Sequence, residues 1–319
     1  MPIGEFDLIA KFFTRSVTRA ALGVGDDCAL FATSPGMQLA VSSDMLVEGR
    51  HFLPTVLPQR LGHKALAVNL SDLAACGAKP MAFTLALALP RVDEDFLDGF
   101  ARGLLALADA HGCELVGGDT TQGPLNICIT VFGEVPTGQA LLRSGARAGD
   151  DLYVSGTLGD ARLALEVFRG KVALDGAAFE AVRFAMEQPQ PRVALGLALR
   201  GVASSAIDVS DGLLGDLAHV LRRSGVGAEV QVDALPMSDV LRALPEAMRR
   251  ECTLSGGDDY ELVFTAAPQH ATGVAVAALA AQVSVSRIGR IVAAPGLRLT
   301  DAAGRPVANT FGSFDHFKT

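Results

Sequence analysis

The chain has 319 residues and a net charge of −8 at pH 7, and 50% of its residues are hydrophobic against 19% charged. This composition is typical of a well-packed globular protein and argues against disorder. The acidic balance also argues against a nucleic-acid-binding surface, which normally has a basic face. Because a single hydrophobic core rarely grows beyond about 250–300 residues, we expect two domains.

The first half of the chain predicts alternating strands and helices. In chain order, we expect them at 38–43, 58–76, 82–89, 93–111 and 125–134. The helix at 58–76 would bring Ala65, Asn69 and Asp72 near one face, with Asp72 in its last turns. The turn-rich segment 136–150 is the expected boundary between an N-terminal domain, residues 1–137, and a C-terminal domain, residues 148–319.

The second half predicts a similar mixture of elements. Strands are expected at 151–154, 205–209, 228–233, 260–265 and 284–292, and helices near 159–169, 177–187, 191–200, 211–223 and 269–282. Ser210 would be the N-cap of the helix that follows the 205–209 strand. Mixed strands and helices without an internal repeat indicate two α/β or α+β lobes.

The sequence favours a cytoplasmic protein with no part in a membrane. The longest apolar run, residues 81–89, is far shorter than the roughly 20 residues that a membrane-spanning helix requires. Glu5 and Asp7 precede any apolar stretch, which is not typical of a secretory signal. The cysteines show no C-x-x-C spacing, which argues against a disulfide framework or a zinc site.

Short acidic clusters follow or interrupt the apolar stretches along the whole chain. They are Gly25–Asp27, Ser43–Asp44, Ser71–Asp72, Gly117–Thr120, Asp208–Asp211 and Gly256–Glu261. Each cluster alone is as typical of a turn or a helix cap as of a binding site. Carboxylates at strand ends can converge, and their oxygens are the ligands that Mg²⁺ prefers when it bridges a protein to phosphates. Together the clusters therefore predict a magnesium-dependent enzyme that uses a nucleotide.

Other candidate residues accompany the clusters. Gly118 and its neighbour would let backbone N–H groups approach an anion closely. Arg143 and Arg147 would either contact a polyphosphate or remain solvated surface charges. His51 is the only histidine beside an acidic cluster and is either structural or functional. The other histidines considered, His63, His111, His219 and His270, lie on predicted helices with no acidic cluster nearby in the sequence.

The clusters and their neighbours resemble the thiamine-monophosphate kinase family over essentially the whole chain. The matching stretches are Gly23–Asp27, Ser43–Phe52, Val68–Ala75, Gly117–Thr121, Asp208–Leu213, Ser255–Leu262 and Gly312–Phe317. They occur in order and with family-like spacing, while the P-loop and protein-kinase motifs are missing from the sequence. The resemblance is therefore specific.

The resemblance implies a two-domain α/β (α+β) fold shared with aminoimidazole ribonucleotide synthetase. It would have a mixed-sheet N-terminal dimerisation domain and a C-terminal α/β domain. The resemblance also implies a homodimer, several Mg²⁺ ions and ATP as co-substrate. The implied metal ligands are Asp27, Ser42, Ser43, Asp44, Asp72, Asp119, Asp208 and Asp211. The implied ATP-binding residues are Gly118, Asp119, Arg143 and Ser210, and the thiamine end would be contacted by His51, Glu261 and Phe314 or Phe317.

The implied reaction is the ATP-dependent phosphorylation of thiamine monophosphate to thiamine diphosphate. The acceptor is already an anion, so we expect no general base and a direct, in-line, Mg²⁺-assisted transfer. Two alternatives stay open. One is another enzyme of the superfamily, aminoimidazole ribonucleotide synthetase or selenophosphate synthetase, although the reactive cysteine of the latter is missing. The other is a non-catalytic nucleotide sensor or maturation protein, against which the retained carboxylates argue.

Overall fold

A computed structural model describes residues 4–25 and 27–312, and the chain divides into two compact units. Unit 1 comprises Met1–Leu73 and Ala78–Gly138, and unit 2 comprises Ala74–Gly77 and Gln139–Thr319. Each unit contains one mixed sheet, which confirms the expected two-domain α/β architecture. The limits 1–137 and 148–319 stay a prediction.

Unit 1 is built on a four-stranded sheet. Its elements are α1 (Glu5–Phe12), β1 (Met37–Val47), α2 (Pro58–Cys76), β2 (Lys79–Leu89), α3 (Glu94–His111), β3 (Glu114–Gln122) and β4 (Asn126–Pro136). The strand order is β1-β4-β2-β3, in which only β2 and β3 run parallel. The strand β1 therefore forms one edge of this sheet.

Local chemistry defines the ends of α3. The carboxylate of Asp93 accepts the N–H of Phe96 at 3.1 Å, which satisfies one of the unpaired donors at the start of the helix. Gly112 ends the helix in the left-handed conformation that favours glycine. Between these caps, Leu97, Phe100 and Leu104 are completely buried at helical spacing. The buried face fixes α3 in the core of unit 1.

Unit 2 is built on a seven-stranded sheet. Its elements are β5 (Asp151–Ser155), α4 (Asp160–Phe168), α5 (Gly176–Glu187), α6 (Val193–Ala198), β6 (Ser205–Asp208), α7 (Leu213–Ser224), β7 (Gly227–Gln231), α8 (Asp239–Arg242), α9 (Glu246–Ser255), β8 (Leu262–Ala266), α10 (Ala271–Ala281), β9 (Val285–Val292), β10 (Gly296–Thr300) and β11 (Pro306–Val307). The strand order is β11-β10-β7-β9-β5-β8-β6, with β10 parallel to β7 and the other pairs antiparallel.

The helix α7 illustrates how the core of unit 2 positions functional residues. Leu213, Leu217, Val220 and Leu221 are buried at i, i+4, i+7 and i+8, so one face of α7 packs on the sheet. The strand β6 enters this core immediately before α7, and all four of its residues are buried. The turn between them is consequently held at both ends.

In the part of the chain that the structure describes, none of the helices has the length and apolarity needed to cross a membrane.

Candidate functional site

The alternation of β1 separates the polar residues of its acidic cluster. Ser42 and Asp44 lie on the half-buried face, whereas Ser43 lies on the exposed face. The hydroxyl of Ser42 donates a hydrogen bond to the carboxylate of Asp72 near the end of α2. The hydroxyl of Ser43 instead donates to the carbonyl oxygen of Ile129 at 3.1 Å, on the neighbouring strand. The structure therefore brings Ser42 together with Asp72 and directs the Ser43 hydroxyl elsewhere.

Asn69 positions Asp44, and the sequence motifs did not assign it this role. Its Oδ1 accepts the backbone N–H of Asp44 at 3.0 Å. Its Nδ2 donates to the carbonyl oxygen of Ala65, one turn earlier in α2, also at 3.0 Å. With only 1% of its surface exposed, the side chain can satisfy its polar atoms only within the protein. Its place on the same helix face as Asp72 was the signal in the sequence.

Gly118 lies within a strand, and no strand was predicted at this position. The segment Gly117–Thr120 belongs to β3, whose register with β2 shifts between Phe83 and Thr84. Gly118 has φ +151°, and a Cβ there would lie 1.8 Å from the carbonyl oxygen of Leu85. Glycine at this position thus permits the close approach of two strands. Asp119 follows on the exposed part of β3.

His51 lies in the turn that follows β1. Its ring Nδ1 accepts the backbone N–H of Val47 at 3.0 Å. The backbone N–H of His51 donates to the Val47 carbonyl oxygen at 3.0 Å. Because Nδ1 is an acceptor, the neutral ring carries its proton on Nε2 and is a donor there.

Asp27 is exposed in a loop closed by the antiparallel bridge between Leu22 and Leu30.

In unit 2, Asp208 and Asp211 flank the turn from β6 into α7. Asp208 is buried at the end of the strand, and Asp211 is half-buried. The N-cap of α7 is Gly212, with no side-chain cap, so the prediction that Ser210 caps this helix was wrong. The carboxylate of Asp216, in the first turn of α7, instead accepts the N–H groups of Ser210 at 3.1 Å and Asp211 at 3.0 Å. Asp216 therefore fixes the backbone of the turn.

Asp216 was missed by the sequence motifs. Burial raises its pKa to about 7, and the nearby charge of Asp211 acts in the same direction, while the N–H bonds from the turn oppose the shift. An acidic side chain in the first turn of a helix that reaches back to N–H groups resembles the reciprocal part of a capping box. That placement was the only signal available in the sequence.

The Gly256–Glu261 segment packs on the same turn through backbone hydrogen bonds. Val209 donates to the carbonyl oxygen of Glu261 at 2.8 Å and accepts from the N–H of Tyr260 at 2.8 Å. The N–H of Asp258 donates to the carbonyl oxygen of Ser210 at 2.9 Å. Asp258 and Tyr260 have φ values of +69° and +52°, which side chains rarely adopt. The two acidic clusters of unit 2 thus form one structural element.

Glu261 is engaged by the protein itself. Its buried carboxylate accepts from Nε of Arg192 at 2.7 Å, from the Arg192 Nη2 and from the hydroxyl of Ser155 at 2.5 Å. The ion pair raises the pKa of Arg192 against the opposing effect of burial, which is the largest influence. Arg192 belongs to no motif, and it lies 69 residues before Glu261. The prediction that Glu261 contacts substrate is untested, but its position depends on Arg192.

The remaining predicted residues are distributed as follows. Arg143 is exposed, and its carbonyl oxygen accepts from the hydroxyl of Ser224 at 3.4 Å. Arg147 is exposed, and its backbone N–H donates to the carboxylate of Asp150 at 3.0 Å. Phe314 and Phe317 lie outside the described residues.

The oxygen donors suit Mg²⁺, although they do not form a closed metal cage. Within 4–25 and 27–312, no group of three or more His, Cys, Asp or Glu side chains is arranged to hold a metal ion. Mg²⁺ binds through one or two carboxylates and completes its shell with water and phosphate oxygens. The half-buried Asp44 and Asp72 with the Ser42 hydroxyl, and Asp208 and Asp211 in unit 2, match that oxygen-only chemistry.

Comparisons with known proteins give one consistent result. Residues 25–135 match the family described as AIR synthase related protein, N-terminal domain, and residues 147–302 match the corresponding C-terminal domain. The chain is 45% identical to the thiamine-monophosphate kinase of Salmonella typhimurium, with 100% of both chains covered.

Solved structures show the same relationship. The crystal structure of thiamine-monophosphate kinase from Stenotrophomonas maltophilia K279a is 45% identical, with a TM-score of 0.85 over 94% of this chain and 95% of that chain. The structure of AaThiL complexed with AMPPCP and TMP is 29% identical, with a TM-score of 0.78 over 90% and 89% of the two chains.

Proposed function

The chain belongs to the thiamine-monophosphate kinase family, and from this premise we propose which of its side chains carry the reaction. The protein is an enzyme that phosphorylates thiamine monophosphate to thiamine diphosphate at the expense of ATP. The observation that carries the residue assignment is the contact of the Ser42 hydroxyl with the Asp72 carboxylate, on the face of β1 that also holds Asp44.

The residues proposed to hold Mg²⁺ are Asp27, Ser42, Ser43, Asp44, Asp72, Asp119, Asp208 and Asp211. Ser42, Asp44 and Asp72 are the strongest members, because hydrogen bonds to one another or to Asn69 hold them. Bound Mg²⁺ would neutralise the charge of the two polyanions that must approach each other.

The proposed reaction is a direct transfer to a phosphate oxygen of the substrate. A phosphate acceptor is already a nucleophile, so the residues must position and screen charge rather than remove a proton. Gly118, Asp119, Arg143 and Ser210 are the proposed ATP-binding residues, and His51 is proposed to donate from Nε2 to the substrate. Turnover with ATP labelled at the γ-phosphoryl group, quenched in SDS at neutral pH so that phosphohistidine survives, should leave no label on the protein, and a labelled Asp, His or Ser would refute direct transfer.

We also propose that the exposed face of β1 forms the contact of a homodimer. Leu39, Val41 and Met45 alternate on this face and are 49%, 55% and 52% exposed, on an edge strand whose pairing groups face outward. Val41→Lys should give a monomer in sedimentation velocity at concentrations where the wild type is a dimer. Leu279→Lys is the control, because Leu279 is an exposed apolar residue on α10. A monomeric wild type would refute the proposal.

The first test is an assay with the purified protein, Mg²⁺, ATP and thiamine monophosphate, followed by ³¹P NMR. We expect thiamine diphosphate and ADP in equal amounts. Asp72→Ala should lower kcat by orders of magnitude, whereas Asp98→Ala, which removes a surface carboxylate paired with Arg102, should leave it unchanged. ADP and inorganic phosphate without thiamine diphosphate would contradict the acceptor. Equal rates for the two variants would contradict the metal assignment.

A further inference from the structure

Three basic side chains lie near one another in the C-terminal half of α7 and in the segment fixed to its end. We call Arg143, His219 and Arg222 the basic cluster. The Nη2 of Arg222 lies 3.0 Å from Nδ1 of His219. Burial first, and then the charges of Arg222 and Arg143, lower the pKa of His219, while Asp211 acts in the opposite direction. His219 lies in a helix, as predicted.

The segment that carries Arg143 is fixed to the end of α7. The Ser224 hydroxyl accepts the N–H groups of Gly145 and Ala146, both at 3.2 Å, and donates to the carbonyl oxygen of Arg143. A side chain at the C-terminus of α7 therefore anchors the loop through its backbone. The bonds place Arg143 beside the helix that carries His219 and Arg222.

The two arginines of the basic cluster, Arg143 and Arg222, form no ion pair among residues 4–25 and 27–312, in a chain whose net charge is −8. Elsewhere in unit 2, arginines such as Arg192 and Arg290 are held by Glu261 and Glu229. Two neighbouring guanidinium groups of this kind offer positive charge and fixed donors to an anion.

A structural role at the helix end explains only part of this arrangement. Cations in the last turn of a helix interact favourably with its dipole, which accounts for Arg222 and equally for Arg223. It does not account for Arg143, which belongs to another segment, or for His219, which lies in the middle of α7. His219 is seven residues from Gly212, or about 10 Å along the helix axis. An elongated anion that starts at the turn would reach it.

We propose that the basic cluster is a nucleotide-binding subsite that contacts the phosphate chain of ATP, which rests on the proposed function and extends its ATP site to His219 and Arg222. The Arg222 guanidinium donates to Nδ1 of His219, so the neutral ring carries its proton on Nε2 and donates there to an anionic oxygen. The two guanidinium groups supply positive charge for the phosphate oxygens, which the aspartates of the turn cannot supply. His219 and Arg222 are binding residues in this assignment and take no proton from the substrate.

The test measures nucleotide affinity and steady-state kinetics on the full chain. Calorimetry with Mg²⁺ and the analogue AMPPCP gives the affinity of the wild type and of Arg222→Ala, His219→Ala and His219→Gln. Arg223→Ala is the matched control, because it removes an exposed arginine from the same last turn of α7. Thermal melts verify that each variant is folded.

We expect Arg222→Ala and His219→Ala to weaken AMPPCP binding by about tenfold each, because a hydrogen bond to a charged group contributes at least that factor. His219→Gln, which keeps an N–H donor, should recover most of the affinity. In the kinetic assay, KM for ATP should rise while KM for thiamine monophosphate stays constant. Arg223→Ala should match the wild type in both experiments.

Each other outcome overturns the inference in a recognisable way. If Arg222→Ala and Arg223→Ala bind AMPPCP as the wild type does while the enzyme forms thiamine diphosphate, the subsite is wrong and the function stands. A rise in KM for thiamine monophosphate alone would assign the basic cluster to the other substrate. A wild type that binds no nucleotide would refute the subsite and the proposed function together.

Discussion

Replacing Glu261 by Gln tests whether this residue acts through the fold of unit 2. The substitution keeps the volume and one acceptor for the Ser155 hydroxyl, but it leaves the half-buried Arg192 without a countercharge. Breaking a buried ion pair costs about 3–5 kcal/mol. The side chains of Glu261 and Arg192 are 6% and 22% exposed, so solvent screens the arginine in part and we expect the lower end, about 3 kcal/mol.

The assay is thermal and urea unfolding of the purified variants. For a unit of this size, each kcal/mol shifts Tm by about 2–4 °C, so Glu261→Gln should lower it by roughly 6–12 °C. Glu229→Gln is the matched control, because Glu229 also accepts Nε and Nη2 of one arginine, Arg290, at 2.9 and 2.7 Å. Its side chain is 33% exposed and that of Arg290 is 62% exposed, so the loss should stay below about 1 kcal/mol.

The double variant Glu261→Gln with Arg192→Met completes the experiment. Removing both charges of a buried pair is far less costly than removing one, so the double variant should recover most of the stability that Glu261→Gln loses. Equal losses for Glu261→Gln and Glu229→Gln would refute this reasoning. Unchanged stability together with a raised KM for thiamine monophosphate would instead show that Glu261 acts by touching the substrate.

Three further predictions follow from individual contacts. Gly118→Ala should lower the free energy of unfolding in urea by about 3 kcal/mol or more, since its Cβ would lie 1.8 Å from a backbone oxygen. Gly117→Ala is the control, because its Cβ would lie 3.8 Å from the nearest atom, and it should cost less than about 1 kcal/mol. Hydrogen bonds lower the pKa of Glu114 to about 2 from 4.5, against the effect of burial, so its contribution to stability is present above pH 4.5 and is lost as the pH falls towards 2. The urea midpoint of Glu114→Gln should accordingly depend less on pH in this range, and identical profiles would contradict the assignment. Burial raises the pKa of the Cys113 thiol to about 12, so iodoacetamide at pH 8 should modify the exposed Cys28 first, as peptide mass spectrometry would show.

The elements that the sequence predicted well are those with a strong local pattern. The helix predicted at 58–76 forms over Pro58–Cys76 with Asp72 near its end, and the strand predicted at 205–209 leads directly into α7. Apolar periodicity and the acidic turns were sufficient for both, because each depends on neighbours within one or two turns of chain. The alternation of β1 also contained the separation of Ser42 from Ser43, since neighbouring side chains on a strand face opposite sides.

The sequence could not predict contacts between residues that are far apart in the chain. No strand was predicted around Gly118, but it lies in β3 because a parallel partner strand, β2, pairs with it. Arg192 and Glu261 are 69 residues apart, and no local pattern links them. The same limit applies to Asn69, whose spacing on α2 was visible while its bond to Asp44 was not. Tertiary pairing decides these cases, and it leaves little trace in a single sequence.

Charge compensation separates the groups that maintain the fold from those that can bind ligands. Glu261 is compensated by Arg192, and Glu166, which is 1% exposed, is surrounded by three basic side chains. A carboxylate that is already paired with basic side chains attracts a metal ion weakly, so these carboxylates stabilise the fold. Arg143 and Arg222, which have no carboxylate partner among the residues that the structure describes, show the opposite behaviour. In an acidic protein, these two neighbouring arginines offer positive charge to an anion. The phosphate chain of the nucleotide fits this requirement, and the anion and its Mg²⁺ would compensate arginines and aspartates at the same time.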